Sequence, residues 1–548
     1  MPFKFLFLSL FFCASALFGA VLSYEELKTK PKSIAKDYYI YRLLLEGNAS
    51  KAEIGDLYDE VSRMNSKLKK EFAKNIDINL KSECMNINAK NLFNASNECL
   101  IKLLTPQFVE TLNSSAKTNL ADRLRSESNF TANWISVLNS KEPFKIIKKH
   151  GLSKEFLKIF NEMPKSYKYK FNFKLDEGFL LQLESSPDYY EAFVKNIVFS
   201  REEFKKLSDS LLYMPQSGKL THQTFFYLGI NALIHEDEKL AEKLFEKAEK
   251  SAYFRSDADK ALFFNYLAGG NETVLRKLAE SFDSNIYSLY AQEKLDIQAS
   301  NVIFLSTSRE KAAHKFNMQD PFSWTLLLRS IKDMSKNEMD IFTAGFEAQE
   351  TLPIYAFLME RNMRYKYHYF IIPFEKYLQD FENERKALIL SIARQESRFI
   401  TSSVSASYAL GMMQFMPSVA SDIAAKQKIK DFDLDDMFNP GTAYKFANIH
   451  LNYLSKYLHH PLFVAYAYNG GIGFTNKILQ KKELFQSGKY EPFLSIELLP
   501  NAESREYGKK VLANYVIYME YFDKKTTVTD LLETLIKPVQ TDKSPQKD

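Results

Sequence analysis

The chain has 548 residues, which is enough for several domains and a large core. It contains only 17 glycines and 17 prolines, about 3% each, against typical usage of roughly 7% and 5%. Because a sandwich or barrel of short strands needs many turn residues, this composition disfavours an all-β fold. With 45% hydrophobic and 26% charged residues, the chain is typical of a globular protein. Its net charge of +5 is too small and dispersed to indicate nucleic-acid binding.

The N-terminus is typical of an export signal. Lys4 precedes an apolar run from Phe5 to Leu17, and small residues that suit cleavage follow. The alternative is an N-terminal membrane anchor. An anchor needs an apolar span of about 20 residues, and the run from Phe5 to Leu17 is shorter than that. We therefore expect residues 1–20 to be a cleaved signal peptide, and we expect no membrane span after it.

Two cysteines, Cys84 and Cys99, remain once the leader is removed. In an oxidising compartment they could form a disulfide, which would contribute about 3 kcal/mol through loop entropy. The alternative is a pair of buried thiols. The sequence has no CxxC or HExxH spacing, and its 8 histidines are scattered, so we predict neither a metal site nor a cofactor.

Apolar residues recur at three- and four-residue spacing from Tyr24 to about Glu375, which predicts one helix after another. One stretch matches the small and large packing positions of a tetratricopeptide helix pair. These residues are Phe225, Leu228, Gly229, Ala232, Ala241, Phe245 and Ala248. We therefore predict an α-solenoid of degenerate helical pairs, with an irregular helical bundle as the alternative.

A candidate acid lies in the helix predicted over residues 386–396. Ile389, Ile392 and Ala393 form an apolar stripe along this helix. The next position of the stripe is Glu396. Burial and the negative end of the helix dipole both favour a protonated carboxyl group, as a general acid near neutral pH requires. The alternative is a surface glutamate at a frayed helix end.

Two glycine-containing motifs follow this helix. In the first, residues 411–417 read Gly-Met-Met-Gln-Phe-Met-Pro. Gly411 permits a tight turn that would place Gln414 and Met416 beside the entering helix. In the second, an Asn-Gly helix stop within residues 465–473 places a phenol and an amide at a loop mouth, where carbohydrate can stack and hydrogen bond. A helix–turn–helix and a plain glycine cap are the alternatives.

Together these motifs resemble the signature series of the lytic transglycosylase catalytic domain. The series reads Ala-Arg-Gln-Glu-Ser at 393–397, the glycine motif at 411–417, Ala-Tyr-Asn-Gly-Gly at 467–471 and Glu-Ser-Arg-Glu-Tyr at 503–507. With the helical region before them, the chain is similar to the large periplasmic members of this family. The first 350 or so residues match mainly by helical character.

The resemblance implies an all-α fold in successive parts. These are an α-superhelical solenoid or ring at 21–285, a small helical linker domain at 286–375, a lysozyme-like catalytic domain at 376–525, and a C-terminal helix with a disordered tail at 526–548. It also implies a monomeric periplasmic enzyme that acts on peptidoglycan glycan strands, from their ends, and leaves 1,6-anhydromuramoyl products.

The resemblance also assigns site residues. Glu396 corresponds to the single catalytic acid/base. The residues that correspond to substrate-binding positions are Ser405, Gln414, Met416, Tyr468, Asn469 and Glu503. Three departures concern the shape of the groove: Tyr408 replaces the usual glycine, Met412 replaces leucine, and His450 stands where the family commonly has tyrosine.

Two other functions stay open from the sequence. The first is a hydrolytic muramidase of the same fold, which would add water to each new end. The second is a helical-repeat scaffold that binds murein without cleaving it.

Overall fold

The computed structural model describes residues 21–76, 84, 87–89, 91–523 and 525–536. The signal peptide predicted over residues 1–20 and the tail predicted after residue 536 lie outside the described residues. The described chain is mostly helical, as the composition predicts. None of its described helices combines the length and the apolarity that a membrane span requires.

The described residues from 24 to 295 fold into a succession of helices, as predicted. In chain order these are α1 (Tyr24–Thr29), α2 (Ile34–Glu46), α3 (Lys51–Asp59), α4 (Ser66–Asn75), α5 (Asn97–Leu103), α6 (Pro106–Glu110), α7 (Ser114–Leu124), α8 (Asn129–Leu138), α9 (Pro143–His150), α10 (Ser153–Glu162), α11 (Lys165–Lys168), α12 (Glu177–Leu183), α13 (Pro187–Phe199), α14 (Lys205–Ser210), α15 (His222–Ile234), α16 (Glu238–Ser251), α17 (Arg255–Gly269), α18 (Glu272–Ala279) and α19 (Ile286–Leu295).

The remaining elements add a small sheet to the helices. They are β1 (Val302–Phe304), α20 (Pro321–Ser330), α21 (Lys336–Ala344), α22 (Leu352–Asn362), β2 (His368–Phe370), α23 (Asn383–Ser397), α24 (Pro417–Lys426), α25 (Pro440–Leu454), α26 (Pro461–Gly470), α27 (Ile472–Leu479), α28 (Phe493–Glu497), α29 (Ala502–Tyr521) and α30 (Val528–Thr534). The two strands pair with each other, which is an addition to the predicted all-α fold.

The predicted tetratricopeptide-like pair is present as α15 and α16, which pack against each other. All seven predicted packing residues are buried. A Cβ atom at Gly229 would lie 2.6 Å from the ring of Phe245, so glycine is needed for this close approach. Because α13, α15, α16, α17, α18 and α19 also pack in succession, the structure agrees with a solenoid rather than an irregular bundle.

The chain divides into two compact units, and each combines distant segments. The first unit holds the described residues up to 76 together with 304–365 and 369–453. The second unit holds the described residues from 84 to 303, together with 366–368 and the residues from 454 onward. The domain boundaries predicted from the sequence stay predictions.

In the first unit, an N-terminal helix is ion-paired to the segment that follows α24. Arg42 of α2 lies 2.6 Å from a carboxylate oxygen of Asp433 and 2.8 Å from one of Asp435. The hydroxyl of Tyr39 donates to Asp435 at 2.8 Å. Ion pairs of this kind gain little net stability, because removing the charges from water offsets their attraction. The cluster links α2 to the segment after α24 in the unit that also contains Glu396.

The second unit contains a disulfide, which is one of the two possibilities that the sequence leaves open for its cysteines. Cys84 and Cys99 are bonded, with their Cα atoms 5.2 Å apart. Cys99 lies in α5 and is buried. A bridge that closes a loop of this length restricts the unfolded chain and contributes about 3 kcal/mol.

A buried carboxylate joins solenoid helices to C-terminal helices within the second unit. Glu497, at the end of α28, is 0% exposed. It pairs with Lys509 of α29 and accepts a hydrogen bond from the hydroxyl of Tyr287 on α19. Arg505 Nε and Lys260 Nζ lie 3.8 Å and 4.0 Å from its second oxygen. Because the first turn of α29 contains Glu503, this network supports a helix that carries a predicted site residue.

Candidate active site

Helix α23 places Glu396 in its last turn. The helix runs from Asn383 to Ser397, slightly longer than the predicted 386–396. Ile389, Ile392 and Ala393 are each 0% exposed, whereas Glu396 is half-buried. The predicted position of Glu396, at the C-terminal end of a core-facing stripe, is therefore confirmed.

The backbone leaves this helix through two left-handed residues, neither of which is glycine. Arg398 and Phe399 have φ values of +56° and +65°. Such conformations cost roughly 1–2 kcal/mol for residues with a Cβ atom. The N–H of Phe399 donates to the carbonyl of Ala393 at 3.3 Å, and the Phe399 side chain is buried. Helix capping and burial therefore offset the backbone strain immediately after Glu396.

The turn predicted at Gly411 is present in a short hairpin. Bridges pair Val404 with Leu410 and Leu410 with Phe415. Gly411 has φ +72°, and a Cβ atom there would lie 2.1 Å from the carbonyl oxygen of Met437. Both the left-handed backbone and the close approach require glycine. The hydroxyl of Ser397 donates to the carbonyl of Met412 at 2.9 Å, which ties the end of α23 to this hairpin.

Three predicted substrate-binding residues lie on this hairpin or directly after it. The hydroxyl oxygen of Ser405 accepts from the N–H groups of Ala409 and Ser407, at 2.9 Å and 3.3 Å, so its own hydrogen is not consumed by these bonds. The side-chain amide of Gln414 donates to the carbonyl of Gly411 at 2.7 Å. Met416 is half-buried and precedes the first residue of α24. The hairpin thus presents a hydroxyl donor and an amide oxygen from a fixed backbone.

Tyr408, the first departure from the family pattern, occupies a conformation that favours glycine. Its φ is +66°, and its side chain is 1% exposed. The ring packs against Tyr38 and Tyr41 of α2, with centroids 5.9 Å and 5.3 Å away. The family's usual glycine therefore suits the backbone at this position. In this chain, aromatic packing on an N-terminal helix compensates for the strain.

The other two departures are a buried residue and a half-buried residue. Met412 is 0% exposed, so its replacement of leucine alters core packing rather than an exposed groove surface. His450 on α25 is half-buried, and its ring lies edge-on to Phe415 at 5.9 Å. Burial lowers the pKa of His450, which favours its neutral form.

We predict that Tyr408→Gly is less destabilising than Tyr408→Ala. Both changes remove a buried ring, at a cost of about 3–5 kcal/mol by comparison with other aromatic truncations. Only glycine also relieves the left-handed backbone, which recovers about 1 kcal/mol. Urea unfolding can be followed by the fluorescence of Trp324, which lies in the first unit, in a Trp134→Phe background that removes the only other tryptophan. Equal midpoints for the two variants would contradict the argument from φ.

The second unit carries Tyr468, Asn469 and Glu503. Tyr468 and Asn469 are half-buried in the last turn of α26, and the chain turns at Gly471 with φ +85°. The predicted helix stop is therefore confirmed. The amide of Asn469 donates to Glu503 at 3.3 Å and accepts from the hydroxyl of Ser504 at 2.7 Å. Glu503 and Ser504, in the motif at 503–507, therefore orient Asn469 in the motif at 467–471.

Close packing of α26 on α29 makes this arrangement possible. A Cβ atom at Gly508 would lie 2.2 Å from the ring of Tyr466, which is 0% exposed. Glycine in α29 therefore lets the aromatic residue of α26 approach its backbone. Glu503 itself is exposed at the start of α29.

Sequence reasoning missed one residue that contacts the end of the helix that carries the candidate acid. Glu360 on α22 is 2% exposed and pairs with Arg394 at 2.6 Å and with Arg398. Arg394 also donates to the carbonyl of Tyr369 at 2.7 Å. Arg394 is a buried charge within the first motif, and such a charge needs a carboxylate partner. Nothing in the spacing of the motif identifies Glu360, which lies 34 positions earlier, as that partner.

Comparison with known proteins identifies the segment that contains most of these residues. Residues 373–490 match the model of the Transglycosylase SLT domain. The match includes Glu396 and five of the six predicted binding residues, and it ends before Glu503. This part of the chain is therefore similar to the transglycosylase SLT domain, in agreement with the resemblance of the signature motifs.

The same resemblance extends to individual proteins. The soluble lytic murein transglycosylase of Escherichia coli K12 is 30% identical over 144 residues, which is 26% of this chain and 22% of that protein. A homologous protein of Haemophilus influenzae is 31% identical over 144 residues, 26% of this chain and 23% of its own length. The matched region thus spans less than a quarter of the curated relatives.

The fold is similar over a longer stretch. The crystal structure of the 70 kDa soluble lytic transglycosylase Slt70 from Escherichia coli aligns with a TM-score of 0.50 at 15% identity. The alignment covers 92% of this chain and 83% of that one. The predicted helical fold class is confirmed by this similarity.

Proposed function

We propose that this chain is a lytic transglycosylase of peptidoglycan. It would cleave the β-1,4 bond between N-acetylmuramic acid and N-acetylglucosamine in glycan strands. The observation that carries the proposal is the SLT domain match, which contains Glu396 at the end of a buried helix. The names of the homologous proteins support murein as the substrate.

In the proposed reaction, one carboxyl group acts twice. Protonated Glu396 donates its proton to the glycosidic oxygen as the bond to C1 breaks. The acetamido group of the substrate stabilises the cationic centre, in the manner of substrate-assisted glycosidases. Ionised Glu396 then accepts the proton of the muramoyl C6 hydroxyl, whose oxygen bonds to C1. No water is consumed, and Glu396 returns to its protonated form with a 1,6-anhydromuramoyl end as product.

The other site residues would bind the sugars. The hydroxyl of Ser405, whose oxygen already accepts two backbone N–H groups, would donate to the acetamido carbonyl. Gln414 and Met416 would line the groove. Tyr468 and Asn469 would flank the reacting sugar, and Glu503 would hold the Asn469 amide, to which it is hydrogen-bonded at 3.3 Å.

We further propose that the protein works as a periplasmic monomer from strand ends. The export signal predicted over residues 1–20 and the disulfide between Cys84 and Cys99 support an oxidising compartment. Exolytic action is tested by the length distribution of the glycan strands during digestion. Shortening from the ends releases small products from the start, whereas early loss of long strands by internal cleavage would contradict it.

Product analysis tests the reaction itself. Purified sacculi are digested with the protein, and the soluble products are analysed by mass spectrometry. We expect anhydro ends only. Products that are heavier by one water at each new end would instead establish a hydrolytic muramidase, and binding to sacculi without products would establish a scaffold.

A further inference from the structure

The end of α23 is held by a carboxylate from a different part of the chain. One oxygen of Glu360 accepts from Arg394 at 2.6 Å and from the backbone N–H of Tyr369 at 3.1 Å, and the other oxygen pairs with Arg398. The two arginines stand two residues before and two residues after Glu396. Arg394 and Glu396 both lie in α23, and helix residues two apart point to different sides. The contact between Arg394 and Glu360 therefore leaves Glu396 on another side of α23, and Arg398 reaches Glu360 from the turn after the helix end.

The same ion pair holds the strained turn that follows Glu396. Arg398 adopts φ +56°, which a residue with a side chain rarely keeps unless its surroundings impose it. Its guanidinium is paired with Glu360 and lies 5.6 Å from the ring centroid of Tyr365. The anchor and the unusual backbone conformation thus occur at one residue, directly after the proposed acid.

We propose that Glu360 is a positioning residue for Glu396, an inference that rests on the proposed function. Through Arg394 and Arg398, Glu360 fixes the rotation and the end of α23, and thereby the place of the Glu396 carboxyl group relative to the glycosidic oxygen. Glu360 is 2% exposed, so it would act through the two arginines rather than by touching substrate. Positioning of this kind matters because a displacement of about 1 Å in a catalytic group can cost on the order of 100-fold in rate.

The first test is Glu360→Gln in the full chain, assayed on purified sacculi. Glutamine keeps the shape of the side chain but removes the negative charge that pairs with Arg394 and Arg398. We expect kcat to fall about 10- to 100-fold while KM stays within about twofold. Glu375→Gln, which changes an exposed glutamate of the same unit, is the matched control and is expected to keep the wild-type kcat.

The pH profile separates positioning from a loss of folded protein. Glu360→Gln removes a negative charge but keeps the positive charges of Arg394 and Arg398, which favour the ionised form of a nearby carboxyl group. Because the general acid must be protonated, we expect the alkaline limb of kcat to move to lower pH. A smaller folded fraction would instead lower kcat by the same factor at every pH and leave the alkaline limb at its wild-type pH.

Replacements of Arg398 test the same inference independently of how well Glu360→Gln folds. Arg398→Ala removes the anchor but keeps a Cβ atom at φ +56°, whereas Arg398→Gly removes the anchor and suits this backbone. We expect kcat to fall about tenfold in the alanine variant and less in the glycine variant, which loses the anchor but not the backbone fit.

The inference is overturned if folded Glu360→Gln keeps the wild-type kcat, if its alkaline limb does not move, or if the two Arg398 variants do not differ. A wild-type protein without lytic activity would refute the proposed function instead, so the two failures are distinguishable.

Discussion

Replacing Glu396 with glutamine is expected to abolish lysis of sacculi and to leave binding to them unchanged. The amide has the size of the carboxyl group but can neither protonate the glycosidic oxygen nor accept the proton of the C6 hydroxyl. General acid–base catalysis contributes about 10²- to 10⁴-fold. Since both proton transfers depend on one residue here, we expect a loss of at least about 10³-fold. Release of anhydro products measures lysis, and co-sedimentation with sacculi measures binding.

Glu503→Gln is the matched control for this prediction. It makes the same chemical change at the predicted site residue in α29. A glutamine side-chain oxygen can still accept the hydrogen bond that Asn469 donates to Glu503 at 3.3 Å. We therefore expect a loss of about tenfold or less, the cost of a weakened neutral contact. Two results would contradict the assignment of Glu396 as the single acid and base. One is lysis by Glu396→Gln at the wild-type rate, and the other is a loss of activity in Glu503→Gln that is larger than the loss in Glu396→Gln.

The elements that could be predicted from the sequence are those set by local periodicity and turn chemistry. The stripe that ends at Glu396 follows from helical spacing, and the turn at Gly411 follows from the unique backbone freedom of glycine. The pair α15 and α16 could be predicted because its small residues repeat at helix-packing positions. In each case the signal lies within a short stretch of chain.

The features that could not be predicted depend on contacts between distant segments. Glu360 lies in α22 with no periodic relation to α23, and its role follows only from the fold. Arg42 pairs with Asp433 across 391 positions. Tyr408 departs from the family pattern, but its left-handed backbone and its packing on α2 are invisible in the sequence. Such contacts are specified by tertiary packing, for which a single sequence has no direct signature.

Glu497→Gln is expected to be the most destabilising of the charge changes considered in the second unit. The carboxylate is 0% exposed and faces Lys509, Arg505 and Lys260. Removing one partner of a buried ion pair leaves uncompensated charge and costs about 3–5 kcal/mol. Urea unfolding can be followed by the fluorescence of Trp134, which lies in this unit, in a Trp324→Phe background.

Glu506→Gln is the matched control because Glu506 contacts the same cations at a more exposed position. Its carboxylate lies 3.0 Å from Lys509 and 3.4 Å from Arg505, with a side chain that is 45% exposed. Exposed pairs contribute about 0–1 kcal/mol, so we expect only a small change in the urea midpoint. Equal losses for the two variants would show that burial does not determine the effect.

The pH dependence of unfolding gives a second measurement of the same network. Burial acts to raise the pKa of Glu497, but the positive charges of Lys509, Lys260 and Arg505 outweigh it and hold the pKa below the ordinary value of 4.5. The ionised form therefore stabilises the fold fully above about pH 4.5, and this stabilisation is lost as the pH falls toward the lowered pKa. We expect Glu497→Gln to lack this part of the acid-induced loss.

A double variant distinguishes lost attraction from uncompensated charge. If the cost of Glu497→Gln arises from cations left buried, then Lys509→Met, which removes the cation in closest contact, should recover part of the stability in the Glu497→Gln background. The same change in the wild-type background should instead destabilise the protein, because it leaves Glu497 with the more distant Arg505 and Lys260. Additive losses in the double-mutant cycle would rule out direct coupling between Glu497 and Lys509, and with it the role of this ion pair in holding α28 to α29.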